Sequence, residues 1–213
     1  MPHTTRICLV RHGETAWNVH RRLQGHTDIP LNARGLAQAR AAALALRREQ
    51  FQHVYSSDLL RAAETARIIA TPHALAVTLA PQLRERHFGG VQGLTWEEAE
   101  QRFPEDYGPL RARVPDAVPP EGGESLTVFS DRIVGYLNEL GQRHPGETLL
   151  VVCHGGCLDV AYRAATGKPL AAARDFPLGN ATLNWIHIGA QGWALERWDD
   201  DAHLVETSEE ISI

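Results

Sequence analysis

The 213-residue chain holds only three cysteines, no long apolar run and no excess of basic residues, and each shortage excludes a class of protein. An odd, small number of cysteines cannot build the paired framework of a stapled secreted scaffold. No segment reaches the stretch of about 18 apolar residues that spans a bilayer. The opening Met1-Pro2-His3-Thr4-Thr5 is polar rather than leader-like, and together these features predict a reduced, cytoplasmic protein with no membrane partner. A formal net charge of -5 and a pI near 6.1 leave no basic footprint for nucleic acid. An anionic ligand must therefore be captured by a local arginine cluster. Gly89-Gly90, Gly93 and Gly122-Gly123 have no Walker lysine behind them and match no dinucleotide fingerprint, so they read as turns. Cys153 and Cys157 lack zinc-site spacing and read as core packing. Repeats, linkers and low-complexity tracts are missing as well, and the acids at Asp199-Asp200-Asp201 and Glu209-Glu210 read as a solvated end.

What is present is a chain that is 43% hydrophobic and 22% charged, enough to bury a sizeable core as a single domain over 1-213. Apolar strand-like runs at Arg6–Val10, Val54–Ser56 and Thr148–Cys153 alternate with helical patterns. Ala33–Gln50 is alanine-rich with Leu36, Leu44 and Leu46; Asp58–Ala70 carries Leu59, Ala62, Ala66 and Ile69. Ser125–Arg143 sets Leu126, Phe129, Ile133, Leu137 and Leu140 on one stripe, and a short helix after His154 should end near Gly167. Thr182–Ile188 and Trp193–Trp198 flank a glycine-containing turn and predict a hairpin. The expectation is an α/β fold, a three-layer α/β/α sandwich whose sheet is mostly parallel with an antiparallel edge. Residues 86-124 form the one long irregular stretch, expected to be an inserted, substrate-covering cap.

The chemistry begins at Leu9-Val10-Arg11-His12-Gly13-Glu14-Thr15-Ala16-Trp17-Asn18, where an arginine and a histidine adjoin at the end of a short strand. The carboxyl end of a strand is where open α/β sheets bind ligands. Imidazole can attack phosphorus, and guanidinium can hold its oxygens. In Val54-Tyr55-Ser56-Ser57-Asp58-Leu59-Leu60-Arg61, a strand runs into a helix with Asp58 or Ser57 as N-cap and Arg61 in the first turn. A helix start favours anions, and an arginine there adds bidentate bonding. Val151-Val152-Cys153-His154-Gly155-Gly156 delivers a third such group, His154, at a strand end.

These segments, with Gly25-His26-Thr27-Asp28-Ile29-Pro30-Leu31-Asn32 leading to Gly35 and Gln38, and with Leu83-Arg84-Glu85-Arg86-His87-Phe88-Gly89, occur in one order along most of the chain. In that order the chain resembles the histidine phosphatase superfamily, in the branch holding bisphosphoglycerate-dependent phosphoglycerate mutases and small phosphatases. The resemblance implies a metal-independent, cofactor-free reaction through a phosphohistidine. On it, His12 is the nucleophile, Arg11, Arg61 and His154 hold the equatorial phosphoryl oxygens, and Glu85 is the general acid that later activates water. Glu14, Glu64 and Glu124 stay open as alternative carboxylates. Further substrate contacts are expected from Thr15, Asn18, Gln24, Gly25 and Gly155, although Thr15 and Asn18 equally suit a helix cap. His87, close to Glu85, is the one other histidine singled out among the eleven.

The cap region is where the resemblance thins. Mutases carry a lysine after the Glu85 segment and paired arginines that hold a second phosphate; here Leu94-Thr95-Trp96-Glu97 has no lysine and Arg111-Ala112-Arg113 is a split pair. Arg111 and Arg113 are expected to cover the phosphate pocket, with Trp96 and Phe103 either joining them or packing inward. Fewer contacts to retain a bisphosphorylated intermediate favour release to water. The expected function is a phosphomonoesterase acting on a small phosphorylated metabolite. A phosphoglycerate mutase is the alternative, and a non-catalytic phospholigand-binding module is the alternative of another class. The oligomeric state is unread; an apolar edge beside the hairpin would allow a homodimer.

Overall fold

The strand that ends at the Arg-His pair is buried on both sides, and this fixes the layering. In the computed structural model, which describes residues 4–204, the elements run β1 (Thr5–Arg11), α1 (Ala16–Val19), α2 (Ala33–Leu46), β2 (His53–Ser56), α3 (Leu60–Ala70), β3 (Val77–Leu79), α4 (Trp96–Arg102), α5 (Pro104–Arg111), α6 (Leu126–Arg143), β4 (Thr148–Cys153), α7 (Gly155–Thr166), β5 (Leu183–Gly189) and β6 (Gly192–Asp200). Met1-Pro2-His3 and Glu209-Glu210, invoked above, lie outside the described residues. Side chains alternate across a strand, so Ile7 and Leu9 join one apolar cluster while Cys8 and Val10 join another. Strand β4 divides the same way, Leu149, Val151 and Cys153 against Leu150 and Val152. One cluster is covered by α6 and α7 through Phe129, Ile133, Leu137, Leu140 and Leu158. The other is covered by α2 and α3 through Ala42, Leu46, Ala62, Ala66 and Ile69. Two buried faces explain why these strands read as continuous apolar runs rather than alternating ones. Each large side chain so buried is worth about 1.5–3 kcal/mol.

The six strands lie in the order β3-β2-β4-β1-β5-β6, parallel from β3 to β1 and antiparallel at β5 and β6. This is the expected α/β sandwich. Register aligns Arg11 of β1 with Cys153 of β4, and Ser56 of β2 with Val152, so three strands release their chains at one edge.

Several boundaries differ from the sequence expectation. Helix α2 ends at Leu46, not Gln50, because the chain must turn to bury Phe51, which stacks on Trp185 with centroids 6.1 Å apart. Helix α3 begins at Leu60 and neither Asp58 nor Ser57 caps it. Asp58 instead binds Arg84 at 2.8 Å, and the free Leu60 N–H donates to Asp28 Oδ1 at 2.7 Å, a cap supplied from 32 residues away. The hairpin forms, with β6 running to Asp200, so Asp199 and Asp200 are strand residues rather than a solvated tail. Asp199 accepts from the Gly179 N–H at 3.1 Å and thereby tethers the loop beside Arg11. Strand β6 is the edge of the sheet and exposes Ala194, Leu195, Glu196 and Arg197, a rim that is part apolar and part charged. Region 86-124 is not irregular: it contains α4 and α5, the former started by a capping box between Thr95 and Glu98.

Candidate active site

At the shared strand edge the chain forms a cavity of about 380 Å³ lined by Arg11, His12, Asn18, Gln24, Arg61, Glu85 and Gly155, joined by Arg22, Leu23, Phe88, Gly156, Arg174, Phe176, Pro177 and Leu178. His12 follows β1 directly, and its ring is almost wholly buried. Its Nδ1 lies 2.7 Å from the Gly13 carbonyl oxygen. A carbonyl can only accept, so Nδ1 carries the proton and Nε2 holds the lone pair. The loop after His12 closes against the start of α2, where Gly13 and Gly35 touch. A Cβ on Gly13 would stand 2.4 Å from the Gly35 carbonyl oxygen, which is why both positions need glycine. Asn180 Nδ2 donates to the His12 carbonyl at 2.8 Å and fixes the same turn from the other side.

Burial pushes His12 well below the ordinary imidazole range, and Arg61 and then Arg11 push the same way; the bond to Gly13 opposes them without prevailing. His154, which caps α7, has its ring centroid 5.2 Å from that of His12 and is lowered by burial, Arg61, His12 and Arg11. Both imidazoles are neutral at pH 7.

Arg61 sits in the first turn of α3, fully buried, with Nη1 and Nη2 spent on the carbonyls of Thr27 and Gly25 at 2.9 and 2.8 Å. Burial lowers it to about 10, against the favourable pull of Glu85 and Asp28, so it stays charged. Arg11 spends Nη1 on the Leu178 carbonyl at 2.6 Å. The remaining polar atoms are informative: Arg11 Nε, Arg61 Nε, both ring nitrogens of His154 and Gln24 Oε1 are buried without a protein partner. Buried polar groups are nearly always satisfied, so unmet polar atoms around one histidine, with the two arginine Nε–H groups as charged donors, mark a site for an anion. Glu85 completes the ring. Its Oε1 accepts from the Arg86 N–H at 2.8 Å and its Oε2 from the Gly156 N–H at 3.0 Å, at the positive end of α7.

The alternative carboxylates are elsewhere. Glu124 is held by Arg132 at 2.7 Å and Glu14 accepts from Asn32 at 2.9 Å; neither they nor Glu64 lines the cavity. Thr15 is buried as the N-cap of α1, in a capping box with Asn18, and does not reach the cavity, whereas Asn18 does. Gly25 also stays behind the wall, where its carbonyl holds Arg61. His87 packs edge-on against His26, centroids 4.8 Å apart, outside the lining.

Arg111 and Arg113 do not line this cavity as expected. They line a second one of about 420 Å³ with Arg86, Trp96 and Arg174. Arg113 is drawn there by Asp159, a buried carboxylate of α7 that also engages Arg163, while Arg111 lies 5.0 Å over the Trp96 ring. Trp96 packs against Tyr107 rather than toward His12, and Phe88 is the aromatic of the 86-124 region that lines the cavity. Sequence reasoning missed Arg174, Phe176 and Asn180, which stand in the loop between α7 and β5 without a motif to single them out.

Comparison with known proteins agrees with this geometry. A profile of the histidine phosphatase superfamily (branch 1) matches residues 7–201. "Phosphoglycerate mutase-like protein 4" of Arabidopsis thaliana is 42% identical over 203 residues, 94% of this chain and 87% of the relative. The "Metal-independent phosphoserine phosphatase" of the same plant is 42% identical over 202 residues, 94% of this chain and 83% of the relative. Among solved structures, a phosphoserine phosphatase mutant from Entamoeba histolytica in complex with phosphoserine superposes with a TM-score of 0.85 at 27% identity, covering 94% of this chain and 100% of that one. With its fold, its motifs and nearly its whole length matched, this chain belongs to the histidine phosphatase superfamily, branch 1.

Proposed function

We propose that the protein is a metal-independent phosphomonoesterase that transfers the phosphoryl group of a small metabolite to His12 and then to water. The observation that carries this is the pair of buried arginine Nε–H groups and the His154 ring, all without protein partners, around a neutral imidazole, a charge pattern complementary to a phosphoryl group. In the first step the His12 Nε2 lone pair attacks phosphorus, the bond to the ester oxygen breaks, and Glu85 gives that oxygen a proton. Arg11, Arg61 and His154 hold the three equatorial oxygens, where the transition-state charge is spread. In the second step Glu85, now a carboxylate, takes a proton from water as its oxygen attacks phosphorus and His12 leaves. Asn18, Gln24 and Gly155 line the same cavity and are available for further substrate contacts.

The rest of the cavity bears on the substrate. Phe88, Phe176 and Pro177 make one wall, and Arg174 stands at the edge with no ion-pair partner among the described residues. A phosphorylated small acid, phosphoserine or a phosphoglycerate, suits this lining, its carboxylate meeting Arg174. The three cysteines are buried free thiols, in keeping with a reducing cytoplasm. Phosphorus NMR on chelator-treated protein tests the reaction. With phosphoserine, and with phosphoglycerate plus a trace of the bisphosphorylated form, inorganic phosphate is expected to grow in; interconversion of phosphoglycerate isomers without phosphate release would make the protein a mutase.

A further inference from the structure

At the opposite edge of the sheet, away from His12, two histidines and a glutamate meet. His53 opens β2, His144 caps the end of α6, and Glu147 precedes β4. Glu147 Oε2 lies 2.7 Å from His144 Nδ1 and 3.3 Å from His53 Nε2, and the two imidazole centroids are 4.2 Å apart. All three donor atoms fall within 4.8 Å of one another. We propose that this cluster is a binding site for a divalent transition-metal ion of the zinc type, separate from the phosphoryl site.

Three features favour a metal over a plain hydrogen-bonded cluster. First, two imidazoles and a carboxylate are the donor set of three-ligand zinc sites, which reach their metal at about 2.0–2.2 Å. Donors already grouped this closely need only small side-chain rotations to surround an ion. Second, the ligand-bearing backbone is fixed. The His144 carbonyl accepts from the Glu147 N–H at 3.1 Å and from Thr5 Oγ1 at 2.7 Å, while the Glu147 carbonyl accepts from the Arg6 N–H at 2.9 Å. Gly146 at φ +83 allows the tight turn that folds Glu147 back onto His144. Third, an outer partner is in place: Tyr55 Oη lies 2.8 Å from His144 Nε2. Metal-ligating histidines are commonly oriented through their second nitrogen. A tyrosine oxygen donates or accepts, so it holds the ring when the proton sits on Nε2 and Nδ1 faces the ion.

His53 and Glu147 are 46% and 38% exposed, so an ion enters from solvent and keeps a water in its fourth position. Arg143, the nearby cation, is paired with Glu139 and so repels the ion less. Binding would clip the start of β2 to the α6–β4 turn, a stabilising rather than catalytic role.

The test is zinc titration of tag-free, chelator-treated full-length protein against a chromophoric competitor, repeated with cobalt(II) to read the visible bands of low-coordinate imidazole ligation. Wild type and His12→Ala should each bind one ion at this site, with a melting temperature raised by a few degrees. His53→Ala combined with Glu147→Gln should abolish that binding, the cobalt bands and the shift together; both residues are partly exposed, so the variant should fold. Equal zinc uptake by wild type and the double variant, or loss of the bound ion in His12→Ala instead, would overturn the proposal.

Discussion

The carboxylate of Glu85 occupies the space that a side chain at Gly156 would fill: a Cβ there would stand 2.1 Å from Glu85 Oε1. The Gly156 N–H in turn donates to Glu85 Oε2. The missing side chain thus lets a carboxylate rest on the first turn of α7, facing His12 across the cavity. Gly156→Ala should keep the fold, because the severe clash is with the movable end of Glu85, the contact to the Phe129 ring edge at 3.1 Å asks for a shift of a few tenths of an ångström, and alanine is the better helix former. It should swing Glu85 out of place and slow hydrolysis of alkyl phosphates roughly ten- to a hundred-fold, a part of what a general acid supplies. Unchanged kinetics with an unchanged melting temperature would separate Glu85 from the chemistry.

Glu85→Gln should show the acid role through the leaving group. Loss of roughly 10²–10⁴-fold is expected on alkyl phosphates, whose oxygen must be protonated, and far less on p-nitrophenyl phosphate, whose anion leaves unaided. Equal loss on both would point to a structural role.

His12→Ala should abolish turnover and the acid-labile phosphoenzyme trapped by quenching with labelled substrate, while substrate binding by calorimetry persists. Binding by wild type with neither turnover nor phosphoenzyme would make the protein a phospholigand-binding module instead.

Arg174→Ala should raise KM for phosphoserine roughly two- to five-fold with little change in kcat, since an exposed ion pair is worth up to about 1 kcal/mol. The same variant should handle an uncharged phosphate ester as wild type does. A matching loss on both substrates would exclude the proposed carboxylate contact.

The two buried imidazoles should also set a pH dependence of stability. His12 and His154 have folded-state values below the unfolded one, so their contribution is complete above about pH 6.5 and is lost as pH falls below the unfolded value. The unfolding free energy from denaturant titration should drop from pH 7 to pH 5, by at most about 1.4 kcal/mol per pH unit for each group. In His12→Asn combined with His154→Asn the slope should flatten. A slope identical to wild type would mean that these rings titrate alike in the folded and unfolded chain, and would overturn the lowered values.

Much of this was legible in the sequence because it is local. The strand endings at Arg11-His12 and His154 and the stripe on α6 depend on residues near one another, and so does Ser125, whose hydroxyl caps α6. Tertiary structure decided what depends on distant partners. The cap of α3 came from Asp28, the fate of Arg113 from buried Asp159, and the place of Arg174 from a loop joining two elements. Sequence by itself determined which strands end in the arginine and histidine groups proposed to handle phosphate, since a period and a strand end are written in consecutive residues. Only the folded chain decided which of those groups face one cavity, because a buried charge goes to the nearest partner in space, whatever its distance along the chain.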